Sequence, residues 1–192
     1  MRRVATLAIV LLMAATAALG KEYPSSYGFT MDVPDNWLVI TKQAIQEDPA
    51  VYEAASLKDF VPKVQSGASE FLFNRTTSDA TLWDNINVRL GGQGKIPTTP
   101  DAVKAECAAY SAALAKAVGR TLAVATCESR NAGASQAFYV EYEGRLAGTV
   151  TMQYQLVRPD NKLVFVTATC KRISLDKFRP DFEAIVRSIK FS

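Results

Sequence analysis

The sequence predicts an α+β fold in which a central antiparallel β-sheet is flanked by helices. Short segments of alternating apolar and polar residues recur along the chain, which is the period of half-buried strands. Two longer segments carry apolar residues at three- and four-residue steps instead, which is the period of helices. Tight turn signals join the last strands to their neighbours, so we expect those strands to pair antiparallel.

Residues 1–20, MRRVATLAIVLLMAATAALG, have the three-part layout of a secretory signal peptide. Two arginines precede an apolar run, and small residues end at Gly20, after which we predict cleavage. The apolar run is too short to cross ~30 Å of hydrocarbon comfortably, and no second run of spanning length follows it. We therefore predict an exported protein, periplasmic or secreted, with no stable membrane span after signal cleavage.

Most of the apparent basicity belongs to this signal segment. The chain of 192 residues has a formal net charge of +3, and removal of Arg2 and Arg3 leaves 20 basic against 19 acidic residues, or +1. A near-neutral chain offers no basic face, so nucleic acid is not expected as a partner. The remaining residues, 21–192, suit one domain that buries its own core, and we expect a monomer.

The first predicted elements are two strands joined by a tight turn. Phe29, Met31 and Val33 alternate with polar residues, as in a half-buried strand. The turn begins at Pro34, which cannot donate to a strand ladder. A second strand starts at Trp37, whose side chain we place against the core. This stretch is therefore predicted to be the first hairpin.

The middle of the chain predicts two helices and two strands. Asp48-Pro49 has the signature of a helix start, with the helix running to about Phe60. Strands follow at 70–76 and 85–90. A glycine-rich loop then leads to a long helix at 100–118, which Gly119 ends. One apolar stripe follows this helix through Val103, Cys107, Tyr110, Leu114 and Val118.

The last third predicts four successive strands and a closing helix. The strands are 121–128, 136–143, 147–158 and 162–171, and at least the last three form an antiparallel meander. Apolar residues from Phe178 to Ile189 form one face of the closing helix, with Pro180 in its first turn.

Three cysteines, Cys107, Cys127 and Cys170, are disulfide candidates, since an exported protein can keep such a bond. Cys107 lies 12 residues before the turn at Gly119, which is ~18 Å along a helix. Cys127 lies 8 residues after it, which is ~27 Å along a strand. The strand runs back alongside the helix, so with the slack of the turn these distances bring the two cysteines close together. They therefore favour a Cys107–Cys127 bond. A bond between Cys127 and Cys170, or no bond at all, remains open.

The chain contains no histidine. This excludes zinc sites built from cysteine and histidine, and catalytic triads that need an imidazole base. The cysteine spacings of 20 and 43 residues match no zinc pattern. We therefore predict no catalytic residues, no metal site and no cofactor.

Two weaker candidates lie near the second middle strand. Trp83 and Asp84 form a polar–aromatic pair of the kind that binds a sugar or a peptide edge. A strand entry with one aromatic ring folded over the core explains the same residues. Asn74-Arg75-Thr76 matches a glycosylation sequon.

One carboxylate pair keeps catalysis open as an alternative. Glu141 and Glu143 lie on the same face of their strand, about 7 Å apart. Such a pair is able to serve acid–base chemistry on a glycoside. Alternating charge on a solvated sheet face also accounts for it.

From 27 to 191 the chain resembles the PsbP-like superfamily. The resemblance rests on YGFTMDVPDNW at 27–37, FEAIVRSIKF at 182–191 and the antiparallel sheet between them. It implies a PsbP-like α/β/α sandwich whose members bind partners and share no catalytic residues. The chain lacks the lipid-attachment cysteine of DcrB-like members of that group, and it differs from the secretion chaperones there in being exported.

These observations lead to one functional hypothesis and two alternatives. We expect a non-enzymatic envelope or periplasmic protein that acts as a binding or accessory module for an unknown envelope protein or small ligand. The alternatives are a secreted carboxylate-dependent hydrolase and a lipid or ligand carrier. Two carboxyl groups converging in a cleft favour the hydrolase, an enclosed apolar cavity favours the carrier, and an open apolar groove favours the binding module.

Overall fold

The computed structural model describes residues 20–47, 49, 57, 59–78 and 82–192. These residues form ten strands: β1 Lys21–Ser25, β2 Phe29–Val33, β3 Trp37–Ile40, β4 Glu70–Asn74, β5 Asn85–Gln93, β6 Val124–Ala132, β7 Ser135–Glu143, β8 Thr149–Val157, β9 Lys162–Lys171 and β10 Lys190–Phe191. They also form four α-helices and one 3₁₀ turn: α1 Lys42–Glu47, α2 Val61–Gln65, α3 Pro100–Val118, α4 Leu175–Arg187 and the turn Arg172–Ser174.

The strands assemble into two antiparallel sheets. The main sheet has seven strands in the order β3-β4-β5-β9-β8-β7-β6, and the small sheet has three in the order β1-β2-β10. Every strand pair is antiparallel. The predicted α+β class with a central antiparallel sheet is confirmed, and so is the meander of the last strands, which β6 joins.

The predicted first hairpin is wrong, although its strands are right. β2 pairs with β1 on one side and with β10 on the other, so both of its edges are occupied. The turn at Pro34 closes with a bond from the Trp37 N–H to the Pro34 carbonyl (3.0 Å). The chain then crosses to the main sheet, where β3 pairs with β4.

The helix predicted from Asp48 lies almost wholly outside the described residues. Two short helices flank it in the structure, α1 before it and α2 after it. The Thr41 hydroxyl accepts a bond from the Ala44 N–H (3.0 Å) and caps the first turn of α1. Both helices were missed because five or six residues show too little periodicity to be recognised.

Helix α3 has the predicted bounds and the predicted ends. The Thr99 side chain accepts from the Ala102 N–H, and Gly119 takes the left-handed conformation (φ 77°) that ends the helix. No residue of α3 is fully buried. Strand β6 begins at Val124 instead of 121, since the residues after Gly119 serve to turn the chain back, and it continues to a turn at Gly133.

Helix α4 closes the fold with Phe178, Phe182, Ile185 and Val186 buried. The helix begins at Leu175, so Pro180 lies inside it instead of in its first turn. Pro180 is exposed, and at that position water can bond the carbonyl that its missing N–H leaves free.

Buried side chains form three clusters. The first lies between the main sheet, the small sheet and α4. The other face of the main sheet carries two clusters, one under α1 and α2 and one under α3. Between these two, strands β5, β9 and β8 present a polar strip formed by Asn87, Thr151, Gln153, Thr167 and Thr169.

Within the described part of the chain, no helix combines the length and apolar character that crossing a bilayer requires.

Candidate functional site

A half-open groove of about 640 Å³ lies between the two sheets. β1 is an outer strand of the small sheet and β3 is an outer strand of the main sheet, and both line the groove. The small sheet has three strands against seven, so it covers only part of that face of the main sheet. The groove runs beside β1, and residues of α1 complete its lining.

Apolar and aromatic side chains form most of the groove wall. Trp37 and Val39 contribute from β3, Tyr23 from β1, and Val33 from β2. Trp37 is held in place, because its ring packs against Phe178 (centroids 5.3 Å apart) and its Nε1 donates to the Asp181 carboxylate (3.3 Å). The predicted core role of Trp37 is confirmed, and its edge also faces the groove.

Glu70 lies at one end of the groove and is only 4% exposed. The Ser25 hydroxyl donates to Glu70 Oε2 (2.8 Å), and the Ser26 N–H donates to Oε1 (2.7 Å). The Tyr23 hydroxyl lies close enough to this carboxylate to interact with it. Glu70 therefore ties the β1–β2 turn of the small sheet to β4 of the main sheet.

Two tyrosine hydroxyls stay protonated beside this carboxylate. Burial, reinforced by the negative charge of Glu70, raises the pKa of Tyr23 well above its ordinary range. The same two causes raise the pKa of Tyr27 to about 12. The Tyr27 hydroxyl donates to the Gly67 carbonyl (3.2 Å), so both groups act as hydrogen-bond donors at neutral pH.

Charged groups of both signs surround the groove mouth. Its exposed rim carries Lys21, Glu22, Asp35, Lys42 and Glu47. Among the described residues that line the groove, Glu70 alone is a buried carboxylate. The groove therefore lacks a converging carboxyl pair, and its chemistry is apolar contact with a few polar anchor points.

The Glu141 and Glu143 pair lies elsewhere, on β7, far across the main sheet from β3. Arg179 holds Glu141 through two bonds of 2.8 Å each, and the Tyr139 hydroxyl adds a third (2.7 Å). These bonds, chiefly those from Arg179, lower the pKa of Glu141. Glu143 pairs with Arg120 instead (3.5 Å). A general acid needs a raised pKa, so this arrangement gives the hydrolase alternative no support.

The Trp83–Asp84 pair lies outside the groove lining. The Trp83 ring packs edge-on against Phe73 (centroids 5.6 Å apart). Asp84 is fully buried and accepts bonds from the Lys171 N–H (3.0 Å) and the Ser174 hydroxyl (2.6 Å). These contacts anchor the end of β9, and a ligand role for either side chain stays a prediction.

Cys107 and Cys127 form a disulfide, with their Cα atoms 5.9 Å apart, as the helix and strand levels predicted. The rival bond to Cys170 does not form. Cys170 is fully buried in the first cluster, and burial, reinforced by nearby Asp84, raises the pKa of its thiol to about 12. A thiol with that pKa is a poor nucleophile at neutral pH.

Asn74 of the predicted sequon is also buried. Its Oδ1 accepts bonds from the N–H and the hydroxyl of Thr76 (2.8 and 2.7 Å). A glycan has no space at this position in the folded protein, so the sequon is not a modification site.

The main residues of the groove, Glu70 and Tyr23, were missed by sequence reasoning. One signal was available for Glu70. It shares the core-facing side of β4 with Leu72, and a carboxylate on that side of a strand needs partners. No such signal marks Tyr23, because its role depends on the approach of β1 to β4.

Comparisons with known proteins show which known fold this arrangement of sheets and helices resembles. No family model and no curated protein matches the sequence. Solved structures do match. Cyanobacterial PsbP (CyanoP) from Synechocystis superposes with a TM-score of 0.56 at 13% identity, over 93% of this chain and 96% of its own. The fold is PsbP-like.

Two further solved structures are similar over most of this chain. LpqN of Mycobacterium tuberculosis, described as involved in cell envelope biogenesis, matches with a TM-score of 0.54 at 13% identity, over 90% of this chain and 91% of its own. The Ran-binding protein Mog1p of Saccharomyces cerevisiae reaches 0.49 at 12% identity, over 89% and 94%. At such low identity, the PsbP-like likeness establishes the fold and no activity.

Proposed function

We propose that this protein is an exported, non-enzymatic accessory protein that binds an extended apolar segment of an envelope protein in the groove between β1 and β3. The observation that carries the proposal is the groove itself. It joins an aromatic and aliphatic wall to a few fixed polar groups, which is the usual make-up of a recognition site.

The open shape of the groove favours a chain segment over an enclosed small molecule. A small ligand is typically surrounded on most sides, whereas a peptide enters and leaves along an open channel. β1 has five residues, so the groove follows it for roughly 16 Å. That length accommodates about five residues of an extended peptide.

Side chains, more than backbone pairing, are expected to hold the segment. Pro24 is the fourth of the five residues of β1 and has no N–H to donate, so it weakens β1 as a template for strand addition. The wall residues Trp37 and Val39 offer apolar contact, and rim charges of both signs offer orientation. The partner segment is therefore expected to be apolar at its centre and charged at its ends.

Three observations support an extracytoplasmic location. The first 20 residues have the layout of a signal peptide. The Cys107–Cys127 disulfide suits an oxidising compartment. The structurally similar LpqN is described as involved in cell envelope biogenesis.

Site-specific photocrosslinking tests the groove. Gln43 is exposed on the groove rim, and Lys104 is exposed on α3, away from it. A benzoylphenylalanine at position 43 should capture a discrete protein band in the native envelope, and one at position 104 should not. Ser69→Phe fills the groove and should abolish the band, whereas Ala112→Phe on the exposed side of α3 should leave it. Equal capture from both positions, or capture that survives Ser69→Phe, would contradict the proposal.

Export is tested independently of the groove. Cell fractionation followed by N-terminal mass analysis should find the protein outside the cytoplasm, starting at Lys21. An intact chain in the cytoplasm would overturn the export part of the proposal and leave the binding part to the crosslinking result.

A further inference from the structure

The two most exposed large apolar residues of the described structure lie at one end of the molecule. Ile173, in the 3₁₀ turn after β9, is 93% exposed, and Leu146, in the turn between β7 and β8, is 60% exposed. A bond from the Arg172 N–H to the Gly148 carbonyl (2.8 Å) joins the two turns. With Leu82 they border a shallow concavity of about 700 Å³. We call these three residues the apolar tip.

Partly buried hydrogen bonds hold the two turns that carry Leu146 and Ile173. Asp84 accepts from the Lys171 N–H and the Ser174 hydroxyl, on either side of Ile173. In the other turn, the Thr149 hydroxyl donates to the Leu146 carbonyl (2.6 Å). The backbone of each turn is thus held in the conformation that presents its apolar side chain to solvent. The exposure of both side chains is therefore part of the folded structure.

Cationic side chains surround the apolar tip. Arg145 precedes Leu146, and Lys171 and Arg172 precede Ile173, with Lys177 exposed in the first turns of α4. Among the described residues, fewer acidic groups lie nearby. Asp176 is exposed, Glu143 is half-buried and pairs with Arg120, and the Asp84 carboxylate is buried below the turn. The end of the molecule is thus locally cationic, although the chain after Gly20 is close to neutral.

We propose that the apolar tip docks on an anionic lipid bilayer. Exposed aliphatic side chains that project outward are able to enter the boundary between headgroups and acyl chains. The surrounding arginine and lysine groups would then lie at the level of the lipid phosphates, where each cation strengthens binding. Two side chains that project outward suit a deformable surface better than a preformed protein pocket.

This inference goes beyond the proposed function, because it concerns a second surface. The apolar tip and the groove share no lining residue. Both surfaces can therefore be occupied at once, and docking would hold the groove beside segments of membrane-anchored partners.

Vesicle sedimentation tests the docking, using protein recovered after export and verified by mass. Vesicles of phosphatidylcholine alone are compared with vesicles of equal parts phosphatidylcholine and phosphatidylglycerol. We expect the wild type to sediment with the anionic vesicles only, and less of it to sediment as salt is added.

The paired change Leu146→Ser with Ile173→Ser should weaken binding about 100-fold. The paired change Arg145→Gln with Arg172→Gln should weaken it about 30-fold.

Leu90 supplies the matched control. It is a large apolar residue with 36% exposure on β5, opposite Val164 and therefore toward the other end of the sheet. Leu90→Ser should leave vesicle binding unchanged. Thermal unfolding shows whether each variant is folded. If the Leu146→Ser, Ile173→Ser double variant does not fold, Ile173→Ser alone is tested in its place.

Either of two results overturns the proposal: a wild type that ignores anionic vesicles, or tip variants that bind as well as wild type. In both cases the tip would be assigned to a protein partner instead. The crosslinking at Gln43 uses different residues, so the failure of one experiment leaves the other intact.

Discussion

One face of the main sheet packs against α4 and the small sheet in a single continuous cluster, whereas the other face carries two separate clusters with the polar strip between them. The continuous cluster includes Phe178, Phe182 and Ile185, all completely buried. On the other face, α3 buries none of its residues completely and is tied to β6 by the Cys107–Cys127 bond. The comparison indicates that deep apolar packing holds α4 on the first face, whereas a covalent bond supplements the shallower packing of α3 on the second.

The largest expected effect is on the continuous cluster. Phe182→Ala removes a fully buried ring that contacts Tyr154 and Phe178, and we expect it to lower the free energy of unfolding by about 4 kcal/mol. Val103→Ala, in the half-buried stripe of α3, should lower it by about 1 kcal/mol. Urea unfolding measures both. Similar losses at the two positions would remove the distinction between the faces.

The next effect concerns the bond that holds α3. Replacing Cys107 and Cys127 together by alanine opens a 20-residue loop and should cost about 3 kcal/mol. Amide hydrogen exchange should accelerate in α3 before it accelerates in α4. Cys170→Ala is the control, with a loss of about 1 kcal/mol from the continuous cluster and unchanged exchange in α3. Unchanged protection of α3 without the bond would show that packing alone holds it.

A pH-dependent effect is expected where α4 meets β7. The pKa of Glu141 is lower in the folded protein than in the unfolded chain, chiefly because Arg179 bonds its carboxylate. Its contribution is therefore complete above the ordinary glutamate pKa of about 4.3 and is lost as the pH falls further. Glu141→Gln should cost about 1–2 kcal/mol at neutral pH and flatten this acid dependence.

Thermal unfolding between neutral and acidic pH measures that dependence. Glu143→Gln is the matched control, because its 3.5 Å ion pair with Arg120 is partly exposed and such surface pairs contribute little. If Glu141→Gln and the wild type lose stability equally as the pH falls, the Glu141–Arg179 interaction is not the source of the acid dependence.

The smallest effect is expected at the polar strip. The Tyr110 hydroxyl donates to Gln153 Oε1 (2.9 Å), and Gln153 Nε2 donates to Thr167 (2.9 Å). Tyr110→Phe should therefore cost about 1 kcal/mol, because the remainder of the network stays intact. Ser111→Ala, whose hydroxyl bonds only the carbonyl of Cys107 in its own helix, should cost less. Urea unfolding should rank the two in that order, and the reverse ranking would argue against a structural role for the strip.

Strands and long helices were predictable wherever the apolar period was regular. Phe29, Met31 and Val33 alternate as predicted, and α3 has the predicted bounds. The pairing of the first two strands was not predictable, since the alternation that marks a strand does not specify its neighbour. β10, which occupies the second edge of β2, comes from the far end of the chain.

The disulfide was predictable from the sequence, whereas the groove was not. The Cys107–Cys127 bond followed from distances along two adjacent elements, which a sequence specifies directly. Glu70, Tyr23 and Ser25 meet only because the small sheet folds against the main sheet. The sequence marks Trp83 and Asp84 as a candidate ligand-binding pair, whereas in the structure Trp83 contacts β4 and Asp84 contacts the end of β9.

The sequence by itself determined the α+β class, the preferred disulfide, the lack of histidine chemistry and the layout of the first 20 residues, because each depends on local period, spacing or composition. The tertiary structure decided which strand edges remain open, which carboxylate is buried in the groove, and which apolar side chains stay exposed at Leu146 and Ile173. These features depend on contacts between segments far apart in the chain, and a one-dimensional pattern carries no record of which segments meet.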